Sequence, residues 1–238
     1  MHNKHLEKLL FLDIETVAEN SSFEQLNERK KKLWEKKATF FKESENTTAA
    51  DLYEKAGIYA EFGKIVCIAL GYFHFHEGQA ELRIKAFSSE NEPQLLRQFS
   101  TLINEHFNSA DTILCAHNGK EFDFPFIARR MLINNIELPI TFQLSGKKPW
   151  EIKHQDTMEL WKFGDFKNFT SLDLLAELFE VESSKSDIDG SMVNHVYYIE
   201  KDLERITEYC KRDVAVLAQV YLKLTQEKSI EALNIKLL

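Results

Sequence analysis

Three short runs of consecutive apolar residues constrain the fold of this chain most strongly. The runs Leu9 to Leu12, Ile65 to Leu70 and Thr112 to Ala116 contain no charged residue, glycine or proline. This composition is typical of strands that are buried on both faces. Glu81 to Phe87 alternates apolar and polar residues, which predicts the second strand of a hairpin. Apolar residues at helical spacing predict helices in the segments 93–107, 122–135, 171–175 and 201–226.

This order of elements predicts an α/β layer fold with a mixed central sheet flanked by helices. The residues between the first two strands are polar and charged, with no proline, and with no glycine before Gly57. We therefore expect a helical insertion after the first strand, at about residues 18–60, within a single domain spanning residues 1–238. Residues 139–170 and 183–195 are expected to form loops.

One segment of the insertion is strongly basic. Residues 28–37 contain six basic and two acidic side chains. Five nearby apolar residues can form one stripe beside them, namely Leu26, Leu33, Trp34, Phe40 and Phe41. Two interpretations remain open: a basic helix that guides a single nucleic-acid strand, or a solvated lid that packs on the domain through the stripe.

Composition limits the classes of function. The net charge of −8 argues against a passive nucleic-acid binder, which normally has a basic surface. It does not argue against an enzyme whose clustered carboxylates hold cations. The three cysteines show no C-x-x-C spacing, so neither a disulfide framework nor a zinc ribbon is indicated. No apolar run approaches the length of a membrane span, and we expect a cytoplasmic protein without a membrane partner.

Three motifs carry acidic residues where predicted elements begin or end. Asp13 and Glu15 follow the first buried run, and their i, i+2 spacing places both on one face of a strand. Asp123 opens a predicted helix, and Tyr209 and Asp213 lie one turn apart on another. Each motif also has a structural interpretation: a solvated strand end, a helix N-cap, and a core tyrosine beside a surface acid.

Taken together, these motifs resemble the DEDD superfamily of 3′–5′ exonucleases, which have the ribonuclease H-like fold. A tyrosine four residues before the last acid is typical of the DEDDy branch. The histidine branch would place its base at the position of Glu208. Further similarity to stand-alone bacterial exonucleases related to the proofreading domain of family B DNA polymerases lies in the stretches 11–16, 118–125, 171–176 and 189–193. Ser183-Ser184 departs from this pattern, where a glycine is expected.

The resemblance implies a function and a cofactor. The expected reaction is metal-dependent release of nucleotides from the 3′ end of DNA, by phosphodiester hydrolysis with two divalent ions, Mg²⁺ or Mn²⁺. Asp13 would bridge both ions, Glu15 and Asp213 would complete the first site, and Asp123 would hold the second ion. Because the pKa of tyrosine is ordinarily about 10, Tyr209 is expected to orient the reactants and not to act as a base.

Thr16, Asn118, Phe122 and Lys185 are the expected substrate contacts. Phe122 can stack on a terminal base, and Lys185 can neutralise a backbone phosphate. The expected partners are single-stranded DNA or DNA 3′ ends. Three alternatives remain open: a 3′–5′ exoribonuclease, a non-catalytic nucleic-acid-binding module of the same fold, and a hydrolase of small phosphate esters.

Overall fold

The predicted α/β fold with a mixed sheet is confirmed by a computed structural model. It describes residues 4–41, 46–76, 79–165, 169–184, 188–227, 230 and 233–238. In these residues six strands form one sheet in the order β5-β4-β1-β2-β3-β6. The strands are β1 (Leu9–Ala18), β2 (Gly63–His76), β3 (Gln79–Ser88), β4 (Ile113–Ala116), β5 (Gln155–Asp156) and β6 (Leu233–Leu237). The β1–β2 and β2–β3 pairs are antiparallel, whereas the β1–β4, β4–β5 and β3–β6 pairs are parallel.

Helices cover both faces of this sheet. They are α1 (Glu28–Ala38), α2 (Glu92–Leu102), α3 (Asp123–Ile133), α4 (Thr157–Lys162), α5 (Leu172–Leu178), α6 (Val193–His195) and α7 (Leu203–Leu224). Alternate residues of β1 belong to two different cores, because successive strand side chains point to opposite faces. Leu9 and Phe11 pack with α7, whereas Leu10 and Leu12 pack with α2 and α3.

A buried ion pair fastens α2 and α3 to the sheet. Arg130 of α3 donates from Nε to Glu92 Oε1 of α2 at 2.8 Å, and from its Nη1 atom to the Ala60 carbonyl at 2.9 Å. Glu92 Oε1 also accepts from the backbone amide of Ile65 at 2.8 Å. Because each charged group has several hydrogen-bond partners, these contacts offset much of the desolvation cost of burying the ion pair.

The predicted helical insertion is also present, between β1 and β2. Trp34 of α1 is fully buried and forms the centre of a small core of its own. The indole Nε1 of Trp34 donates to the Ala49 carbonyl at 2.8 Å. The expected single apolar stripe is wrong in part: Leu26 and Trp34 are buried, but Leu33 is 50% exposed and Phe40 is 81% exposed. Consecutive helix residues point roughly 100° apart, so Leu33 and Trp34 cannot share one face.

Several other expectations differ from the structure. The first strand does not end at Asp13 but continues to Ala18, because β2 pairs with it over that whole length. The segments expected as loops contain β5 and α4 in one case and α6 in the other. The turn of the predicted hairpin, at residues 77–78, lies outside the described residues. No helix within the described ranges combines the length and apolar character needed to cross a membrane.

Candidate active site

Asp13 and Glu15 lie in the middle of β1, on the face that α7 covers. They pair across the sheet with Ala69 and Cys67 of β2. Asp13 is half-buried and Glu15 is 7% exposed. A β-bulge shifts the register between Glu15 and Thr16. Because residues at i and i+2 of a strand share a face, both carboxyl groups point toward α7.

Helix α7 supplies Tyr209 and Asp213 from one face. The side chain of Tyr209 is nearly buried, at 5% exposure, and it hydrogen-bonds to the carboxylate of Asp213 one turn later. Cys210, the next residue, is fully buried, and its thiol donates to Asp13 Oδ2 at 3.3 Å. These contacts join α7 directly to the acids of β1.

Asp123 reaches the same place from the tight turn that follows β4. It is the first residue of α3 and is 4% exposed. Gly119 is required in this turn, since a Cβ there would lie 2.2 Å from the Cβ of Ala116 and 3.4 Å from Asp123 Oδ2. Asn118 has a φ of 61°, a left-handed conformation that asparagine tolerates. The N-cap interpretation of Asp123 is wrong, because Phe122 occupies that position without a side-chain cap.

Asp156 holds this turn in place. Its carboxylate accepts from the backbone amides of Asn118 at 3.0 Å and Lys120 at 3.1 Å. The same side chain caps α4 by accepting from the amide of Met158 at 3.0 Å. Asp156 therefore caps α4 and also positions the turn that carries Asp123.

Asp13, Glu15 and Asp213 line a cavity of about 590 Å³, whereas Asp123 is not among the described lining residues. Five parts of the described chain line this cavity. The β1 and α7 residues are described above, and Phe122 lies beside them. The insertion contributes Asp51, Glu54, Lys55, Gly57 and Ile58, and the segment before and within α6 contributes Gly190, Ser191 and Asn194. The side chain of Asn194 accepts from the backbone amide of Ala18 at 3.1 Å, which joins that segment to the end of β1.

Burial and mutual repulsion raise the pKa of three carboxyl groups in this cluster. Burial is the main cause for Asp13, and the charges of Asp213 and Asp123 add to it. Burial followed by the charge of Asp13 raises the pKa of Glu15 well above its ordinary value. Burial raises the pKa of Asp123 to about 7, although hydrogen bonds from its own amide and that of Ile14 oppose the shift. Burial and the nearby acids also raise the pKa of Tyr209.

This donor set fits divalent cations. Asp13, Glu15 and Cys210 offer ligand atoms that all lie within 4.8 Å of one another. Carboxylate oxygens are the ligands that Mg²⁺ and Mn²⁺ prefer, and a cation would relieve the repulsion among the acids. Cys210 suits these ions less well, because burial raises the pKa of its thiol and keeps the proton that it donates to Asp13.

The expected substrate contacts have different outcomes. Thr16 and Phe122 line the cavity. Asn118 is placed by its backbone contact with Asp156 and is not among the described lining residues. Lys185 lies outside the described residues. The neighbouring His117 contacts Thr157 Oγ1 and the Thr170 carbonyl, both at 2.9 Å, and is not among the described lining residues.

The sequence interpretation did not identify Cys210, Asn194 or the insertion wall as parts of the site. For Cys210 a signal existed: it lies three residues before Asp213 and so shares a helix face with it. For Ile58 and Asn194 no local pattern marks the role, because both reach the cavity only through the tertiary fold.

A protein family described as a predicted 3′–5′ exonuclease related to the exonuclease domain of PolB matches residues 56–232. The chain belongs to this family. The matched residues include Asp123, Tyr209 and Asp213, whereas Asp13 and Glu15 precede them. No curated protein is similar to the chain in sequence at a significant level.

A family related to the exonuclease domain of PolB is expected to have a fold that is found within family B DNA polymerases. A solved polymerase structure is consistent with this expectation. A family B DNA polymerase from the hyperthermophilic archaeon Pyrobaculum calidifontis superposes with a TM-score of 0.53 at 14% identity. The match covers 91% of this chain and 24% of that polymerase. At this identity the likeness establishes the fold of the chain.

Proposed function

We propose that the protein is a metal-dependent 3′–5′ exonuclease that releases nucleotides from the 3′ end of DNA. The observation that carries this proposal is the convergence of Asp13, Glu15, Asp123 and Asp213. They come from β1, the start of α3 and α7, yet the charges of Asp123 and Asp213 lie close enough to raise the pKa of Asp13 and of Glu15. Membership of the exonuclease family supports the direction of cleavage.

The four carboxylates would hold two divalent cations, Mg²⁺ or Mn²⁺. When bound, such ions lower the pKa of a water and stabilise the oxygens at the scissile phosphate. In this proposal Asp13 would contribute to both sites, Glu15 and Asp213 would complete one, and Asp123 would contribute to the other. All four must be deprotonated to bind, so metal affinity increases with pH.

Tyr209 would orient the reacting groups through its hydroxyl. Its raised pKa keeps the phenol protonated, so it can donate a hydrogen bond but cannot act as a general base near neutral pH. In the metal-free protein the carboxylate of Asp213 accepts this single hydrogen bond, and a cation held by Asp213 would free the hydroxyl to donate to the reacting groups. Phe122 would stack against the terminal base, with Thr16 nearby on the cavity wall.

The proposed substrate is single-stranded DNA or a DNA 3′ end, with RNA as the second candidate. A matched pair of 5′-labelled DNA and RNA strands, incubated with Mg²⁺ or Mn²⁺, distinguishes them. The proposal predicts a ladder of DNA products shortened from the 3′ end. A DNA strand left intact with both metals would refute it, and an RNA-only ladder would support the exoribonuclease.

Two variants test the site in the same assay. Asp13→Ala should abolish cleavage while the protein remains folded, and Asp111→Asn is the matched control, because Asp111 is 68% exposed and pairs only with a surface lysine in the described structure. Cleavage that survives Asp13→Ala in the pure protein would refute the assignment. Binding of DNA without cleavage by the unchanged protein would favour the non-catalytic module.

A further inference from the structure

A buried thiol contacts the carboxylate at the centre of the site. Cys210 Sγ lies 3.3 Å from Asp13 Oδ2 and 3.5 Å from the Asp13 carbonyl oxygen. Both distances are within the range of sulfur hydrogen bonds. The contact spans 197 residues of sequence and joins α7 to β1. It is therefore a product of the tertiary fold.

The thiol approaches Asp13 from the protein interior. Cys210 is fully buried, and it is absent from the described residues that line the cavity, whereas Asp13 is among them. Cys67, also fully buried, hydrogen-bonds to Cys210 from β2, where it pairs with Glu15. The two sulfurs thus form a layer beneath the acids, and the cavity lies on the other side.

A thiol has suitable chemistry for this position. A carboxylate has about four lone-pair sites, and one weak S–H donor occupies a single site and leaves the others for cations. A lysine or arginine there would bring a positive charge that competes with the metal. The thiol can therefore hold the orientation of the carboxylate without neutralising it.

We propose that Cys210 is a positioning residue, whose thiol hydrogen bond to Asp13 Oδ2 holds that carboxylate in the orientation that binds the divalent cation. This inference rests on the proposed metal-binding function of Asp13. Residues that orient metal ligands through hydrogen bonds typically change metal affinity by about 10- to 100-fold when they are replaced. Loss of the donor should therefore weaken metal binding itself, before any substrate is present.

The test measures binding of Mn²⁺ alone, by the electron paramagnetic resonance signal of the free ion. Cys210→Ala and Cys210→Val both remove the donor, and Val also preserves the packed volume. Cys210→Ser keeps a donor at the same place. Cys115→Ala is the matched control, because Cys115 is a fully buried thiol on β4. Thermal unfolding followed by circular dichroism confirms that each variant is folded.

We expect the Ala and Val variants to bind Mn²⁺ about 10- to 100-fold more weakly, and the Ser variant and the Cys115→Ala control to bind nearly as tightly as the unchanged protein. Normal binding by the Ala and Val variants would overturn this inference and leave the proposed function intact. Equal losses in the Ser and Ala variants would also overturn it, since packing of the sulfur would then be the cause.

Two further outcomes distinguish this inference from the function on which it rests. A thiolate-to-metal charge-transfer band with Co²⁺, lost in Cys210→Ser, would show that the sulfur is a ligand and would overturn the positioning role. Absence of Mn²⁺ binding by the unchanged protein, or binding that survives Asp13→Asn, would overturn the proposed metal site and this inference with it.

Discussion

Replacement of Asp123 by asparagine should stabilise the metal-free protein at high pH. Burial raises the pKa of Asp123 from 3.8 to about 7. Between these values the folded protein keeps a proton that the unfolded chain has lost. The free energy of unfolding therefore falls as the pH rises through this window, and it stays low above pH 7. Asparagine has no charge to bury and can still accept a hydrogen bond from the Ile14 amide.

The magnitude follows from the two pKa values. The interval from 3.8 to about 7, at about 1.36 kcal/mol for each pH unit, corresponds to about 4 kcal/mol. This is an upper bound for the gain from Asp123→Asn at pH 8. At pH 4 the gain should nearly vanish, because the folded protein is then protonated at Asp123.

Urea denaturation at pH 4 and pH 8, both with a chelator, measures this difference. Asp111→Asn is the control and should change the free energy of unfolding by less than about 0.5 kcal/mol at either pH. Excess Mn²⁺ should reduce the advantage of the variant at pH 8, since a cation at 100 times its dissociation constant stabilises the unchanged protein by about 2.7 kcal/mol. Destabilisation by Asp123→Asn at pH 8 without metal, or an equal effect at both pH values, would refute the reasoning.

Three further predictions concern other parts of the structure. Arg130→Ala leaves the carboxylate of Glu92 buried without its guanidinium and should lower the free energy of unfolding by about 3–5 kcal/mol in urea; the exposed neighbour Arg129→Ala should change it little. Tyr209→Phe should reduce kcat about 100-fold, as loss of one positioned donor does, while calorimetry shows unchanged Mn²⁺ affinity; an unchanged kcat would contradict its role. Gly57→Ala would bring a Cβ to 3.1 Å from the β1 backbone, and thermal unfolding should show a decrease of about 1–3 kcal/mol in the free energy of unfolding. An unchanged free energy of unfolding would show that the insertion can move to accommodate the methyl group.

The insertion changes how the site is enclosed. The 3-10 helix Tyr53–Ile58 lies against β1 and forms one wall of the cavity. The basic segment 28–37 belongs to the same insertion, and several of its charges have partners within the protein. Lys31 pairs with Glu28 at 3.0 Å, and Lys37 lies 4.3 Å from the centre of the Tyr59 ring. Together with the buried Trp34, these contacts favour a packed lid over a free guide for a strand.

The sequence alone predicted the class of fold, which the structure confirms, and it singled out the acids that the proposed function uses. Short apolar runs without charges are typical of the interior strands of a layered sheet, and these runs predicted β1, β2 and β4 correctly. The spacing of Asp13 and Glu15 places both on one face of a strand, and the spacing of Tyr209 and Asp213 places both on one face of a helix. Both relations lie within a single element, so they can be inferred from the sequence without the tertiary structure. Helical periodicity likewise predicted α2, α3, α5 and α7, because each has a sustained apolar face.

The tertiary structure decided how far the strands extend and what surrounds the acids. β1 continues to Ala18 because β2 pairs with its polar half, and short strands such as β5 and β6 exist only through their neighbours. The contact between Cys210 and Asp13 also depends on the tertiary structure. The two residues are 197 positions apart, and no local sequence pattern predicts a contact between residues so far apart. Burial is a property of the whole fold, and it is burial that raises the pKa of the clustered acids and makes a cation a fitting partner.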